Sequence, residues 1–315
     1  MKISVKVPAT TANLGAGFDC LGMALPIYNT ITIEETVLPG TGIEINIMAD
    51  DDSIDEMSLE HIPMDENSIV YKAVKLLYNS IGQSPSELRI NISSQIPVAR
   101  GLGSSAAVIV GGLLAANKLL GEPADETALL SIATEVEGHP DNVTPAILGG
   151  LCISSQEDDG SIIYSKLDWC EDWQITVCIP DYELATDISR SVLPNEVPMK
   201  DAVFNAKRVG MFVQAVNTKD KNLLKFALDD RLHQPYRAKL VPGFLEVKEN
   251  LKHEDSFIGC VLSGAGPTIL VISEKEGLNR VKEIINETFE NLDVNVKVLT
   301  LPIEQNGAQL VSQED

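Results

Sequence analysis

A strand that runs into Gly-x-Gly-Ser-Ser and leaves as a helix of small apolar residues has few ways to fold. Here the strand pattern ends at Ile96, and Pro97, Val98, Ala99, Arg100, Gly101, Leu102, Gly103, Ser104, Ser105, Ala106 and Ala107 follow before a helix running toward Leu120. The two glycines permit positive φ and close backbone approach. The first N–H groups of a helix have no partner within it, so such a loop aims amides and serine hydroxyls at an anion. Taken singly, the segment also reads as a plain strand-to-helix turn with a serine cap. A Walker loop needs a lysine where Gly103 stands, and the dinucleotide fingerprint needs a glycine where Ala106 stands. Neither serine is flanked as a nucleophile elbow requires.

Two further glycine loops share the chain. Pro8-Ala9-Thr10-Thr11-Ala12-Asn13-Leu14-Gly15-Ala16-Gly17-Phe18-Asp19 follows the first strand, and Leu262-Ser263-Gly264-Ala265-Gly266-Pro267-Thr268 joins two apolar strands. Glu137-Gly138-His139-Pro140-Asp141-Asn142 closes a helix. Each alone reads as a turn, but four such segments together point to one shared site.

Around them, period-2 alternation at Ile3/Val5/Val7, Ile31/Ile33, Ile43/Ile45/Ile47 and Leu88/Ile90/Ile92 predicts strands, antiparallel or mixed. Val70, Ala73, Val74, Leu77 and Ile81 predict a helix entered from Asp65-Glu66-Asn67-Ser68, which offers N-cap side chains. Another helix is expected from Asp125 to Gly138. Ser154 to Gly160 reads as an inter-domain turn, so the expected domains are 1–155 and 156–305, with a polar, fraying tail at 306–315. In the second half, strand, three helices, strand pair, helix and strand suit a two-layer α+β unit.

Charge narrows the function. With 24 basic and 46 acidic residues the net charge is −22, which disfavours nucleic acid or an anionic membrane as a partner. Asp50-Asp51-Asp52 with Asp55 and Glu56 lacks the glycine and terminal glutamate of a calcium loop and reads as a solvated surface loop. The five cysteines show no CxxC spacing and read as buried, reduced thiols. There is no signal-peptide h-region, and the longest apolar run, Ala106 to Ala116, is too short to span a bilayer, so a cytoplasmic location is expected. Only seven arginines are present, so few side chains are available to hold an anion.

The three glycine loops, in this order and at these separations, resemble the three motifs of the GHMP kinase superfamily over nearly the whole chain, Lys2 to about Leu301. Within it, the first loop, Gly138-His139-Pro140-Asp141-Asn142-Val143 and Leu262 to Thr268 resemble the homoserine kinases. The resemblance implies a two-domain α+β GHMP kinase fold, with an N-terminal domain like domain 2 of ribosomal protein S5 and a ferredoxin-like C-terminal domain. It implies an ATP-dependent kinase that phosphorylates the hydroxyl of L-homoserine with Mg²⁺, working as a homodimer. The runners-up are another small-molecule kinase of the superfamily and a silent nucleotide-binding sensor with this fold.

Position by position, the resemblance makes Pro97 to Ala107 the ATP phosphate loop, with Ser105 a Mg²⁺ ligand, Ser104 a phosphate contact and Asn67 near the adenine. It assigns substrate contacts to Asn13, Asp19, His139, Asp141, Thr186, Arg190 and Arg237, and the third motif to Ser263, Gly264 and Gly266. A zwitterion suits that set, because carboxylates take its ammonium and guanidinium forks its carboxylate. Where mevalonate kinase-like relatives have an aspartate proposed as base, this chain has Asn142. An amide takes no proton, so Asn142 is expected to orient the hydroxyl while alignment and charge neutralisation drive transfer. The superfamily's second Mg²⁺ ligand, a glutamate, falls by count on Ser131, leaving Glu135 and Glu137 as candidates.

Overall fold

The computed structural model describes residues 1–35, 42–50, 59, 62–85 and 87–314. Asp51, Asp52, Asp55 and Glu56 of the acidic stretch lie outside them. The first of two sheets holds seven strands: β1 (Lys2–Ala12), β2 (Leu21–Glu35), β3 (Ile43–Ala49), β4 (Leu88–Ser94), β5 (Leu151–Gln156), β6 (Ile162–Leu167) and β11 (Gln309–Glu314). One edge of the long β2 pairs with β1 throughout. The other takes β5 at Leu21–Met23 and β4 at Asn29–Glu35. All these pairings are antiparallel, whereas β3 runs parallel to β4. The β1–β2 register shifts between Pro8 and Ala9, and Pro26 falls among the skipped residues. Neither proline can donate to a ladder, so the bulge absorbs both.

Four helices belong to this half: α1 (Ile69–Ser80), α2 (Ser104–Leu119), α3 (Glu126–Glu137) and α4 (Pro140–Leu148). The middle of α2 is buried all round, because it lies between the sheet and its three neighbours. The start of α3 is capped as expected, with the Asp125 carboxylate accepting from Ala128 N–H at 2.9 Å, and Gly138 ends it at φ 94°. The side-chain cap expected for α1 does not form; the Asn67 amide bonds Asp65 instead. Ser154 to Gly160 is not an inter-domain turn: β5 and β6 pair as a hairpin from Gln156↔Ile162 to Leu151↔Leu167, which keeps both strands in the first sheet.

The second sheet, in the order β10-β7-β9-β8, contains β7 (Trp173–Pro180), β8 (Phe257–Leu262), β9 (Ile269–Glu274) and β10 (Val296–Leu301), all antiparallel. Its succession of strand, helices, two strands, helix and strand is ferredoxin-like. The apolar runs of β8 and β9 are unbroken because both faces are covered. On one face lie Val247, Val281, Ile285 and Phe289 of α9 (Phe244–Leu251) and α10 (Leu278–Asn291). On the other lie Phe212, Val216 and Leu224 of α6 (Met199–Thr218) and α7 (Lys221–Ala227). Two short helices, α5 (Thr186–Ser191) and α8 (Gln234–Arg237), stand between. Of the five cysteines, all unbridged, four are buried and Cys20 half-buried; burial pushes the Cys20 and Cys152 thiols up to about 11 and Cys260 to about 12.

The polar tail does not fray. Gln309–Glu314 pairs antiparallel with Lys2–Lys6, covering the edge of a strand whose Ile3, Val5 and Val7 are core. Its side chains are mostly exposed, so the gain is backbone pairing of an otherwise open edge rather than burial, which hydropathy does not reveal. Deleting residues 309–315 is expected to cost roughly 1–3 kcal/mol of net hydrogen bonding, seen in a thermal melt as a fall of several degrees at about 2–4 °C per kcal/mol. An unchanged melting temperature would mean that the strand contributes nothing.

Candidate functional site

The first glycine loop leaves the C-terminal end of β1, and the second leads into the N-terminus of α2. At the head of α2 the backbone turns left-handed at Gly101 (φ 73°) and Gly103 (φ 66°). A Cβ on Gly103 would stand 2.0 Å from Thr10 Oγ1 and 3.0 Å from Asn142 Oδ1, and one on Gly101 would stand 2.3 Å from the Ser263 carbonyl. Glycine is required at both for conformation and for space. No side chain caps α2, so its leading amides remain available to a ligand.

The third loop holds the other two in place. Ser263 Oγ lies 2.6 Å from the Gly101 carbonyl and 2.8 Å from Thr11 Oγ1, while Gly264 N–H donates to the Ala12 carbonyl at 3.1 Å. Thr10 N–H donates to Leu102 and Thr268 N–H to Arg100. The His-Pro-Asp-Asn corner becomes the first turn of α4, with Pro140 preorganising its start.

These elements enclose a cavity of about 360 Å³. Pro97, Val98, Ala99, Arg100, Gly101, Leu102, Gly103, Ser104 and Ser105 line it. So do Asn13, Asp19, Glu137, His139, Asp141, Asn142, Thr186, Arg190, Arg237 and Gly264. Several expected residues stand apart. Asn67 is exposed and outside the lining, although its neighbours Ser68 and Ile69 belong to it. Ala106 and Ala107 are packed into the core beneath the loop. The Arg100 guanidinium is occupied by the carbonyls of Pro180, Asp181 and Val98. Ser263 is buried behind the loops, where it and Gly266 shape the third motif without lining the cavity. Glu135 is exposed and outside the lining, whereas Glu137 accepts a hydrogen bond from Ser105 Oγ at 2.8 Å.

Three chemistries meet in this cavity. Ile47 and Ile92, side by side on β3 and β4, join Leu59, Ile62, Ile69 and Val108 in an apolar part suited to a flat ring. The α2 amides with Ser104, Ser105 and Glu137 suit a polyanion and a hard cation, for which hydroxyl and carboxylate oxygens are fitting donors. Burial, the largest influence on Glu137, raises its pKa.

The third part is dipolar. Asp19 receives both arms of Arg190, at 2.8 and 3.2 Å. His139 Nδ1 is 2.5 Å from Asp141 Oδ1; burial opposes the imidazolium, but Asp141 and then Glu137 outweigh it and raise the histidine pKa. The Asn142 amide is held at both ends, accepting from Thr10 Oγ1 at 2.7 Å and donating to Asp141 at 3.2 Å. Arg237 is 1% exposed, and burial followed by the like charge of Arg190 lowers its pKa to about 10, leaving it charged at neutral pH.

Sequence reasoning passed over Phe18, whose ring lies 5.4 Å from the Arg190 guanidinium and 5.3 Å from that of Arg237, and the Thr10 hydroxyl. Both sit inside the first loop, but nothing in their spacing marks a partner distant in the chain. The apolar part was missed because its residues come from four separate elements.

Comparison with known proteins agrees with this arrangement. The family model of the GHMP kinases' N-terminal domain matches residues 68–150, and that of their C-terminal domain matches residues 212–291. A homoserine kinase of Caldicellulosiruptor saccharolyticus is 43% identical over 302 residues, 96% of this chain and 90% of that protein. One of Synechococcus sp. is 40% identical over 315 residues, all of both chains. The crystal structure of homoserine kinase from Cytophaga hutchinsonii is similar with a TM-score of 0.85 at 28% identity, covering 98% of this chain and 97% of that one. Matched end to end at this identity, and with its glycine loops closing on one cavity, the chain belongs to the homoserine kinase family of the GHMP kinases.

Proposed function

We propose that the chain transfers the γ-phosphoryl group of ATP to the side-chain hydroxyl of L-homoserine, giving O-phospho-L-homoserine for threonine biosynthesis, with the reactants held between the two sheet-based domains. The observation that carries this reading is the presence, in one cavity, of an uncapped helix N-terminus and a pair of guanidiniums set among carboxylates. The first suits phosphates. The second suits a small zwitterion, with Asp19, Asp141 and Asn13 toward the ammonium, and Arg190 and Arg237 toward the carboxylate.

Ser105 and Glu137 are the residues that would hold Mg²⁺, and their oxygen donors fit it. When bound, the ion neutralises charge on the phosphates. Loop amides and Ser104 cradle the phosphate chain, while the isoleucine-lined part takes the adenine ring. Thr186 and His139 complete the amino-acid side. Asn142, fixed by Thr10 and Asp141, orients the acceptor hydroxyl. Phosphoryl transfer through a loose transition state depends on alignment and charge neutralisation, so no dedicated base is needed. Family resemblance supports a homodimer in the cytoplasm; among the described residues no helix is long and apolar enough to cross a membrane.

Three measurements check this reading. ADP release with MgATP against L-homoserine, mevalonate, shikimate and galactose is expected to occur with homoserine alone; turnover of another member without homoserine would overturn the assignment, and silence on all four would favour a nucleotide sensor. Gly103→Ala, which forces a Cβ onto Thr10, is expected to raise the KM for ATP by about tenfold or more, on the scale of a strained or broken polar contact. Asn142→Ala is expected to lower kcat by more than about tenfold, and a smaller effect would remove its orienting role.

A further inference from the structure

Arg237 ends a helix one turn long that passes directly into a 3-10 turn at Ala238–Leu240, and its guanidinium is aimed by the hydrogen bonds it makes. Its Nε donates to the Ser189 carbonyl at 3.1 Å and its Nη1 to the Gly264 carbonyl at 3.2 Å. The same Nη1 also meets a nitrogen acceptor, Nδ1 of His233, at 3.3 Å.

His233 is 0% exposed, and nothing above gives it a task. Its Nε2 lies 2.8 Å from the Gly15 carbonyl, which can only accept, so the ring proton sits on Nε2 and Nδ1 presents a lone pair. That tautomer is the one able to accept from Arg237. Phe18 stacks on the ring at 5.2 Å and 25°, fixing its plane. The Asp230 carboxylate fixes the backbone beneath by accepting from the N–H groups of Leu232, His233 and Gln234 at 2.8, 3.0 and 2.6 Å. Burial dominates the environment and disfavours the imidazolium despite Asp230 at 3.5 Å from Nε2, so the ring stays neutral beside a cation.

We propose that His233 is the positioning residue that aims the Arg237 fork at the substrate carboxylate and ties its place to the first glycine loop through Gly15. The inference rests on the reading of Arg237 as a carboxylate contact. Its consequence is specificity. The first loop carries Asp19 and Asn13, on the ammonium side, and His233 links that loop to Arg237, on the carboxylate side. The imidazole therefore fixes the separation between the two charge-binding groups, and with it the preference for an α-amino acid over an amine or an acid alone.

Two substitutions separate the two ring nitrogens. His233→Asn keeps an acceptor at the Nδ1 position and loses the donor to Gly15; His233→Gln keeps the donor and loses the acceptor. His233→Gln is expected to raise the KM for L-homoserine by about tenfold, the scale of one hydrogen bond to a charged group, and His233→Asn by much less. The KM for ATP should not move in either. With 3-aminopropan-1-ol, which keeps the amine and hydroxyl but lacks the carboxylate, kcat/KM should be the same for both variants and the parent. Equal losses in the two variants, or losses that persist with the analogue, would overturn the proposal. Arg237→Ala tests the underlying reading separately: an unchanged KM for L-homoserine there removes the carboxylate contact itself. Should neither histidine variant fold, ¹⁵N NMR of the unaltered protein decides: His233 with a protonated Nε2 and a bare Nδ1 supports the proposal, and the opposite tautomer refutes it.

Discussion

The hydroxyl of Ser263 is the point on which the site depends. It is fully buried, and it lies within hydrogen-bond distance of both the phosphate-type loop, at Gly101, and the first loop, at Thr11. Three backbones converge there, and no room is left for side chains on the faces they share: the Cβ missing from Gly101 would overlap both Ser263 and Gly266. The glycines of one loop are thus required by the carbonyls of another. The walls of the cavity are bonded to one another without any ligand, and such preorganisation is what positioning catalysis needs.

Much of this was legible in the sequence where the signal is local. Alternation marked β1 through β4, the Asp125 and Gly138 caps bounded α3, and the glycine spacing marked the head of α2. What was not legible depends on partners far away in the chain. β5 and β6 are short and polar on one side, so Ser154 to Gly160 read as a linker when it is the turn of a hairpin. The composition of the tail suggests a solvated end, yet backbone pairing with β1 holds Gln309–Glu314. Asn67, expected near the adenine from its place in the motif, turns its amide to Asp65, and only the neighbouring Ser68 and Ile69 reach the cavity. Between Glu135 and Glu137 the choice is one of helix face: Glu137 meets Ser105, and Glu135 points to solvent.

The acidity of the chain and its anionic ligand are reconciled by where the few arginines go. Arg89, Arg231 and Arg280 pair with surface carboxylates, Arg208 is stacked between Phe204 and Phe226, and Arg100 is bound to carbonyls. Arg190 and Arg237 line the cavity, Arg190 paired with Asp19 and Arg237 donating to the Ser189 and Gly264 carbonyls. Phosphates must then be met by backbone amides, which bring partial positive charge without a basic surface. Arg190 is not idle before a ligand comes, since it closes on Asp19. In the proposed binding mode, a zwitterion entering between them would exchange one ion pair for two, carboxylate to arginine and ammonium to aspartate, so that the desolvation cost of separating the pair is offset within the same complex.

The surroundings of Asn142 bear on the proposal that transfer needs no dedicated base. The Asn142 amide nitrogen donates to the buried carboxylate of Asp141 at 3.2 Å, and its oxygen accepts a hydrogen bond from Thr10 Oγ1. A carboxylate in that place would set two buried acids at hydrogen-bond distance, and two such groups do not readily ionise together. One would hold the proton the other needs to accept, and the basicity gained by the exchange would be lost to its neighbour. The amide avoids the conflict: it donates to Asp141 without setting a second negative charge beside the Asp141–His139 pair, and holds its own orientation through Thr10. On the proposed reading, an amide at 142 favours recognition of an amino acid beside Asp141 over proton abstraction at 142, and catalysis rests on the loop amides and the alignment they impose.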